Sequence, residues 1–455
     1  MNAMEKEITV KIEKLASNAQ GIARYEGAVI FVDDEVCPDD ECRVEIVKKH
    51  KSYYIAKVKE IINSSPYRVK PFCPMHKVCG ACQLQHIDYK KQLVIKRQIV
   101  EDVMRGLEVE VKEVEPSPQI KEFRHKIQYP IRQTSVSKRL LAGYFKPKSH
   151  DLVNIKYCPI QPKICDEIIE FIRENASKYC VDGYNEKTHK GLLRHVVIRS
   201  SVLENRQLVV LVVNKENETK DIRTFAEVLF ENFESVVGVS LNFNPQKTNL
   251  IMSNDTKSVI GKEYIKEKLC DTVFKIGANT FFQVNPESAN NIFNYVKNYI
   301  SDNFDEPVLL DAYAGISAFG LSLSSVAKSV VTVEENVESV KLAKTLKKEN
   351  NIENIYIYNS DCSEFFEKEL EEHKKGYDVT ILDPPRKGCT PESLDYALKL
   401  TKSKIVYVSC NPATLARDLK YLKEKGAEIL SLKPFDMFCH TTHIETVAII
   451  DVENV

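Results

Sequence analysis

The chain has 455 residues, 43% hydrophobic and 28% charged, so it exceeds one ordinary core and lacks the bias of a disordered or fibrous protein. A formal net charge of -1 excludes a wholly polybasic binder, and no segment reads as a signal peptide or membrane span, so a cytoplasmic protein is expected. Thirteen cysteines, an odd count without scaffold spacing, read as thiols, metal ligands or catalytic groups and not as disulfides.

Residues 1–62 alternate β-branched and charged side chains between turn signals, which predicts about five short strands closing into a small barrel. Within it, Arg43, Lys48, Lys49, Lys51, Lys57 and Lys59 beside Tyr53 and Tyr54 offer a phosphate-binding face despite the balanced total charge. The stretch GIARYEGAVIFVDDEVCPDD resembles a TRAM domain, an RNA-binding barrel of the oligonucleotide-binding type.

Residues 63–270 read as a mixed α+β central domain. Cys73, Cys79 and Cys82 are spaced C-x5-C-x2-C, with Cys158 as the candidate fourth ligand and His76 as its rival; four thiolates can enclose a zinc ion or a cubane cluster, and spacing does not choose between them. Apolar residues Leu93, Ile95, Ile99, Val103 and Met104 predict an amphipathic helix over 88–106, capped by Gly106 and able to pack on the C-terminal domain. VVIRSSVLENRQLVVLVVN predicts a hairpin. Arg124, His125 and Lys126, and farther on Arg194 and His195, are candidate cations for an RNA loop.

From residue 271 to 455, strands alternate with helices, the pattern of a doubly wound parallel sheet that binds ligands at the carboxyl ends of its strands. The first strand ends near Asp311 and enters Ala312-Tyr313-Ala314-Gly315-Ile316-Ser317, a turn that opens a helix without a three-glycine fingerprint. Glu334 follows the second strand, 19 residues after Gly315, and Asp361 the third. Acidic strand ends in a row suit a nucleoside with little negative charge, such as S-adenosylmethionine, although each residue could equally cap the next helix.

The fourth strand ends at Asp383-Pro384-Pro385-Arg386 and the fifth at Cys410-Asn411-Pro412, the prolines holding the preceding side chains in extended geometry. Carbon 5 of uracil is a poor nucleophile until a thiolate adds to carbon 6, and this chemistry explains a cysteine beside a methyl donor. The resulting adduct needs a general base. His443 and Glu445, expected on one face of the last strand, are the candidates, with Glu445 preferred.

The motifs LDPPRKG, SCNPATLARD, HIETVAII and GANTFFQVNPESAN resemble the bacterial RNA uracil-C5 methyltransferases, in order and across nearly the whole chain. The resemblance implies a Rossmann-like class I methyltransferase fold, Cys410 as nucleophile, Glu445 as base, and Gln283, Tyr313, Glu334 and Asp383 as contacts of S-adenosylmethionine. It further implies a 4Fe-4S cluster on Cys73, Cys79, Cys82 and Cys158, and a single-stranded uridine of 23S ribosomal RNA as substrate. Family members often carry cysteine at position 314 and glycine at 317, where this chain has Ala314 and Ser317. Transfer RNA is the alternative substrate. An amino- or cytosine-methyltransferase is disfavoured, the former by Arg386 at the usual aromatic position, and a non-catalytic RNA-binding protein by the presence of every reactive residue.

Overall fold

The structure, a computed structural model, describes residues 7–372 and 376–455. Six strands, Glu7–Lys11, Lys14–Leu15, Gly21–Tyr25, Ala28–Val32, Glu41–Lys49 and Tyr53–Asn63, form one sheet curled around Ile12, Ala23, Ile30, Val32 and Val44. The expected alternation is visible in Glu7–Lys11, whose Ile8 and Val10 point inward and whose charged neighbours point out. Part of the basic face is already neutralised, Arg43 by Glu7 and Glu60 and Lys59 by Glu45. At the far hairpin tip Lys48, Lys49 and Lys51 stay exposed beside a stacked His50–Tyr53 pair.

The Tyr89–Val103 helix starts at Asp88, whose side chain accepts from Lys90 N and Lys91 N. It is amphipathic as predicted, but its buried stripe is Gln92, Ile95, Lys96, Ile99 and Val100, and Val103 is exposed. Ile95 and Ile99 enter the barrel core, while Val100 and Met104 enter the core of the C-terminal sheet. Beyond it the chain lies alongside the edge of that sheet, with Lys112 N donating to Leu432 O and Glu115 N to Pro434 O.

A seven-stranded central sheet follows, with helices Lys163–Asn175 and Lys220–Asn232 packed on it. The predicted hairpin pairs Leu193–Ser200 with Gln207–Val213, and every residue of the second strand is buried. Arg194 belongs to this interior: it is 2% exposed and spends its guanidinium on the carbonyls of Asn244, Gln246 and Thr248. His195 is half-buried, and burial pushes it down to about 3. The expectation that Arg194 faces RNA is therefore corrected: its guanidinium pins a neighbouring loop.

The C-terminal sheet contains β1 (Val308–Ala312), β2 (Ser329–Glu334), β3 (Ile355–Asn359), β4 (Tyr377–Leu382), β5 (Thr401–Ser409), β6 (Glu428–Phe435) and β7 (Glu445–Asp451). Their spatial order is β3-β2-β1-β4-β5-β7-β6, parallel except for β7, which runs antiparallel to both β5 and β6. Helices cover both faces, as the alternating pattern predicted. The hairpin Tyr264–Leu269/Thr272–Gly277, which spans position 271, packs through Ile265, Leu269, Phe274 and Ile276 onto this domain.

Residues 436–444, between β6 and β7, join all parts of the molecule. Lys96, fully buried, donates to Asp436 Oδ1 at 2.6 Å and to the carbonyls of Phe438 and His443 at 2.9 Å each. Gln83 N and Leu84 N donate to His440 O, and Thr442 Oγ1 donates to Ser17 O at 2.5 Å. Lys96→Met leaves the Asp436 carboxylate buried without its cation and the His443 carbonyl without its lysine donor, and a loss of about 3–5 kcal/mol is expected in denaturant unfolding. A loss below about 1 kcal/mol would show that the pair is dispensable.

Candidate active site

Strand register assembles the reactive groups. Leu382 in β4 aligns with Tyr407 in β5, so Asp383 leaves the sheet beside the end of β5. Ser409 in β5 aligns with Thr446 in β7, which sets Cys410 next to Glu445. Glu445 is 6% exposed and Cys410 is half-buried. Burial, the nearby Asp383 and, in opposition, Arg386 together hold the Glu445 carboxyl well above its ordinary range. Burial also raises Asp383, to about 7. The Cys410 thiol is raised by burial and by Glu445, while Arg386 opposes this by its charge and by a side-chain hydrogen bond. Arg386, noted in the sequence only for not being aromatic, is thus the thiol's cationic partner.

The fifth strand ends at Ser409, and Asn411 keeps the extended geometry expected before a proline while it caps the Pro412–Glu424 helix, its side chain accepting from Ala413 N. One expectation is corrected here. β7 starts only at Glu445, so His443 does not share a strand face with it. His443 lies exposed in the preceding turn, yet it lines with Cys410, Arg386, Ile99 and Ser17 a cleft of about 250 Å³. Arg417 and Asp418 lie behind the site and tie down the loop after Arg386. Arg417 donates to the carbonyls of Lys387 and Cys389, and Asp418 Oδ2 accepts from Cys389 N and Tyr407 Oη.

The cofactor side lies at the ends of β1, β2 and β3. Tyr313, Gly315 and Ser317 all have positive φ, between 55° and 61°, so the turn folds back tightly before the Ala318–Leu323 helix. Ser317 holds this left-handed geometry, usually left to glycine, while its hydroxyl is 2.9 Å from Thr332 Oγ1. Gly320 is required by space, because a Cβ there would lie 2.4 Å from Thr332 Cγ2. Asp311, inside β1, accepts from Gly320 N at 2.8 Å through Oδ2, and its Oδ1 is buried without a partner. Burial pushes this carboxyl up to about 8. Sequence reading marked Asp311 only as a strand end; a buried carboxyl inside a β-strand run was the available signal.

Glu334 closes β2 and accepts from Gly315 N at 2.9 Å and Asn336 N at 2.8 Å, each oxygen keeping a lone pair. Asp361 is exposed and accepts from Ser363 N and Glu364 N, the cap that was its other reading. The Tyr313 hydroxyl is engaged by Ser393 and Cys389. Gln283 lines a small cavity with His125, Lys126, Arg199 and Glu267. Burial lowers Lys126 to about 8 and His125 to about 4 there.

Cys73, Cys79, Cys82 and Cys158 converge on another cavity, which His76 also lines. Burial raises all four thiols, Cys82 and Cys158 to about 12. Four desolvated thiols of this kind need a bound cation to exist as thiolates.

A model of the tRNA (Uracil-5-)-methyltransferase family matches residues 88–452, and a TRAM domain matches residues 5–59. A Clostridium tetani protein described as an uncharacterized RNA methyltransferase is 36% identical over 455 residues, 98% of each chain. A similarly described protein of Oceanobacillus iheyensis is 34% identical over 445 residues, 97% of this chain and 95% of its own. The solved structure of Pyrococcus abyssi tRNA (uracil-54, C5)-methyltransferase in complex with S-adenosyl-L-homocysteine has a TM-score of 0.76 and 28% identity, covering 97% of this chain and 100% of that one. The chain therefore belongs to the tRNA (uracil-5-)-methyltransferase family, whose members are S-adenosylmethionine-dependent enzymes that methylate carbon 5 of uracil in RNA.

Proposed function

We propose that this enzyme methylates one unpaired uridine of 23S ribosomal RNA through a covalent bond to Cys410. The observation that carries the reading is the register placing Cys410 against Glu445 at the rim of an open cleft. The flipped base enters that cleft. The Cys410 thiolate adds to carbon 6, and the electron pair of the ring double bond moves onto the carbon 4 carbonyl. S-adenosylmethionine supplies an electrophilic methyl group, which carbon 5 captures with release of S-adenosylhomocysteine. Glu445 then takes the proton from carbon 5, the double bond re-forms, and Cys410 leaves as thiolate. Glu334 would hold the ribose hydroxyls of the methyl donor, with Asp311, Asp361, Asp383, Tyr313 and Gln283 as its further contacts. The unpartnered Asp311 Oδ1 fits a donor of this kind.

Burial raises Asp383 to about 7 and lifts the Glu445 carboxyl and the Cys410 thiol above their ordinary ranges, so activity should fall with acid earlier than the ordinary carboxylate range. Single-turnover rates are expected to drop about tenfold per pH unit below about 7. A flat profile down to about pH 5 would remove Glu445 as the base.

The four cysteines would hold a 4Fe-4S cluster that supports the RNA-binding region. Among the described residues, no three of their sulfurs gather within 4.8 Å of one another. Tetrahedral zinc needs sulfurs about 3.8 Å apart, so the wider set fits a cubane better. Anaerobically purified protein is expected to carry about four irons per chain with matching sulfide; zinc as its only metal would overturn the cluster.

The barrel and the cysteine loop support ribosomal RNA. The Pyrococcus abyssi enzyme, described as acting on tRNA and covered over its full length, supports transfer RNA as the second reading. Methylation of both RNAs from a strain lacking the protein, with the product mapped, separates the two.

A further inference from the structure

We propose that Glu35, His76 and His86 form a metal site of their own, taking one divalent ion of zinc type and clamping the N-terminal barrel to the cysteine loop. One donor atom from each of the three lies within 4.8 Å of the others. Glu35 stands in the acidic turn of the barrel, and its carbonyl is pinned by Arg68, which is itself ion-paired with the buried Asp40. His76 and His86 come from the opposing loop and are 5% and 4% exposed.

The ring nitrogens show what is missing. Both His76 nitrogens and His86 Nδ1 are buried without a hydrogen bond. His76 Nε2 approaches Glu35 Oε1 to 3.2 Å without the direction of a hydrogen bond. Two ligands of one tetrahedral zinc, each bound at about 2.0–2.1 Å, stand roughly 3.3 Å apart, so this contact has the length of an edge of such a site. His86 Nε2 lies 3.0 Å from Val36 O, and donation there fixes the proton on Nε2 and leaves Nδ1 with a free lone pair. Histidine ligands are commonly oriented by such a backbone carbonyl. A simple Glu35–His76 ion pair would need a charged imidazole in a buried place, whereas burial holds both rings below their ordinary range. Imidazole and carboxylate donors without thiolate suit zinc and its neighbours, and the half-open Glu35 leaves a route for the ion and a water as fourth ligand.

The site does not depend on what the four cysteines hold. The test uses anaerobically purified full-length protein, with zinc titrated against a chromophoric chelator and iron and sulfide measured in parallel. One zinc per chain is expected at a tight site. Glu35→Gln and His86→Gln should each weaken it by at least about tenfold while leaving iron and sulfide unchanged. Wild-type protein that binds no stoichiometric zinc, or variants that bind it equally well, would overturn the proposal. Cobalt(II) on the wild-type protein gives a readout independent of variant folding. Ligand-field bands without sulfur-to-cobalt charge transfer are expected, and charge-transfer bands would assign the ion to the cysteines and sink the site.

Discussion

Cys410→Ala is expected to lower methyl transfer to RNA by at least about 10⁴-fold, because carbon 5 of uracil then has no route to an enolate. Cys410 lines the cleft with Arg386, Asn411 and His443, and the glycine turn at the end of β1 contributes none of that lining. Binding of S-adenosylhomocysteine, measured by calorimetry, should therefore be unchanged. Loss of both binding and activity would indicate a collapsed domain, and undiminished methyl incorporation would defeat the covalent mechanism. The charge around the thiol sharpens this prediction. Glu445 and Asp383 disfavour the thiolate and Arg386 favours it, so the guanidinium is the group that offsets the two carboxyls at the nucleophile.

Glu445→Gln should do something different in kind. Glutamine keeps the shape but cannot take the proton from carbon 5, so addition and methyl transfer proceed and release stops. Turnover is expected to fall by about 10²–10⁴-fold, with a protein–RNA adduct that survives denaturation. The double variant with Cys410→Ala should form no adduct. If the single variant turns over normally, the base lies elsewhere, and His443 in the same cleft is the group to replace next.

The C-terminal sheet was readable because its rules are local. Apolar runs bounded by acidic or proline ends announce buried parallel strands, and β1 to β5 fall where those runs lie. What lay outside that reading is non-local. Lys96 looks like a solvated position of an amphipathic helix, yet Gln92, Lys96 and Val100 recur every four residues on the buried side, a stripe that could have been counted. Its partner Asp436 is 340 residues away and no periodicity reaches it. Arg386 and Cys410 meet only through the pairing of β4 with β5. Arg194 shows the opposite failure: its charge implied a surface role, but three backbone carbonyls enclose it.

The bond between Lys96 and Asp436 also sets an order of events during synthesis. The Tyr89–Val103 helix leaves the ribosome early, and at roughly 5–20 residues per second its buried lysine waits on the order of 20–70 s for the residue that neutralises it. Until then that helix has one apolar side for the barrel and another for a sheet not yet made. The turn that carries Glu445 to the thiol closes in the same late step, so a nascent chain can pair the strands of its barrel while still unable to finish a catalytic cycle.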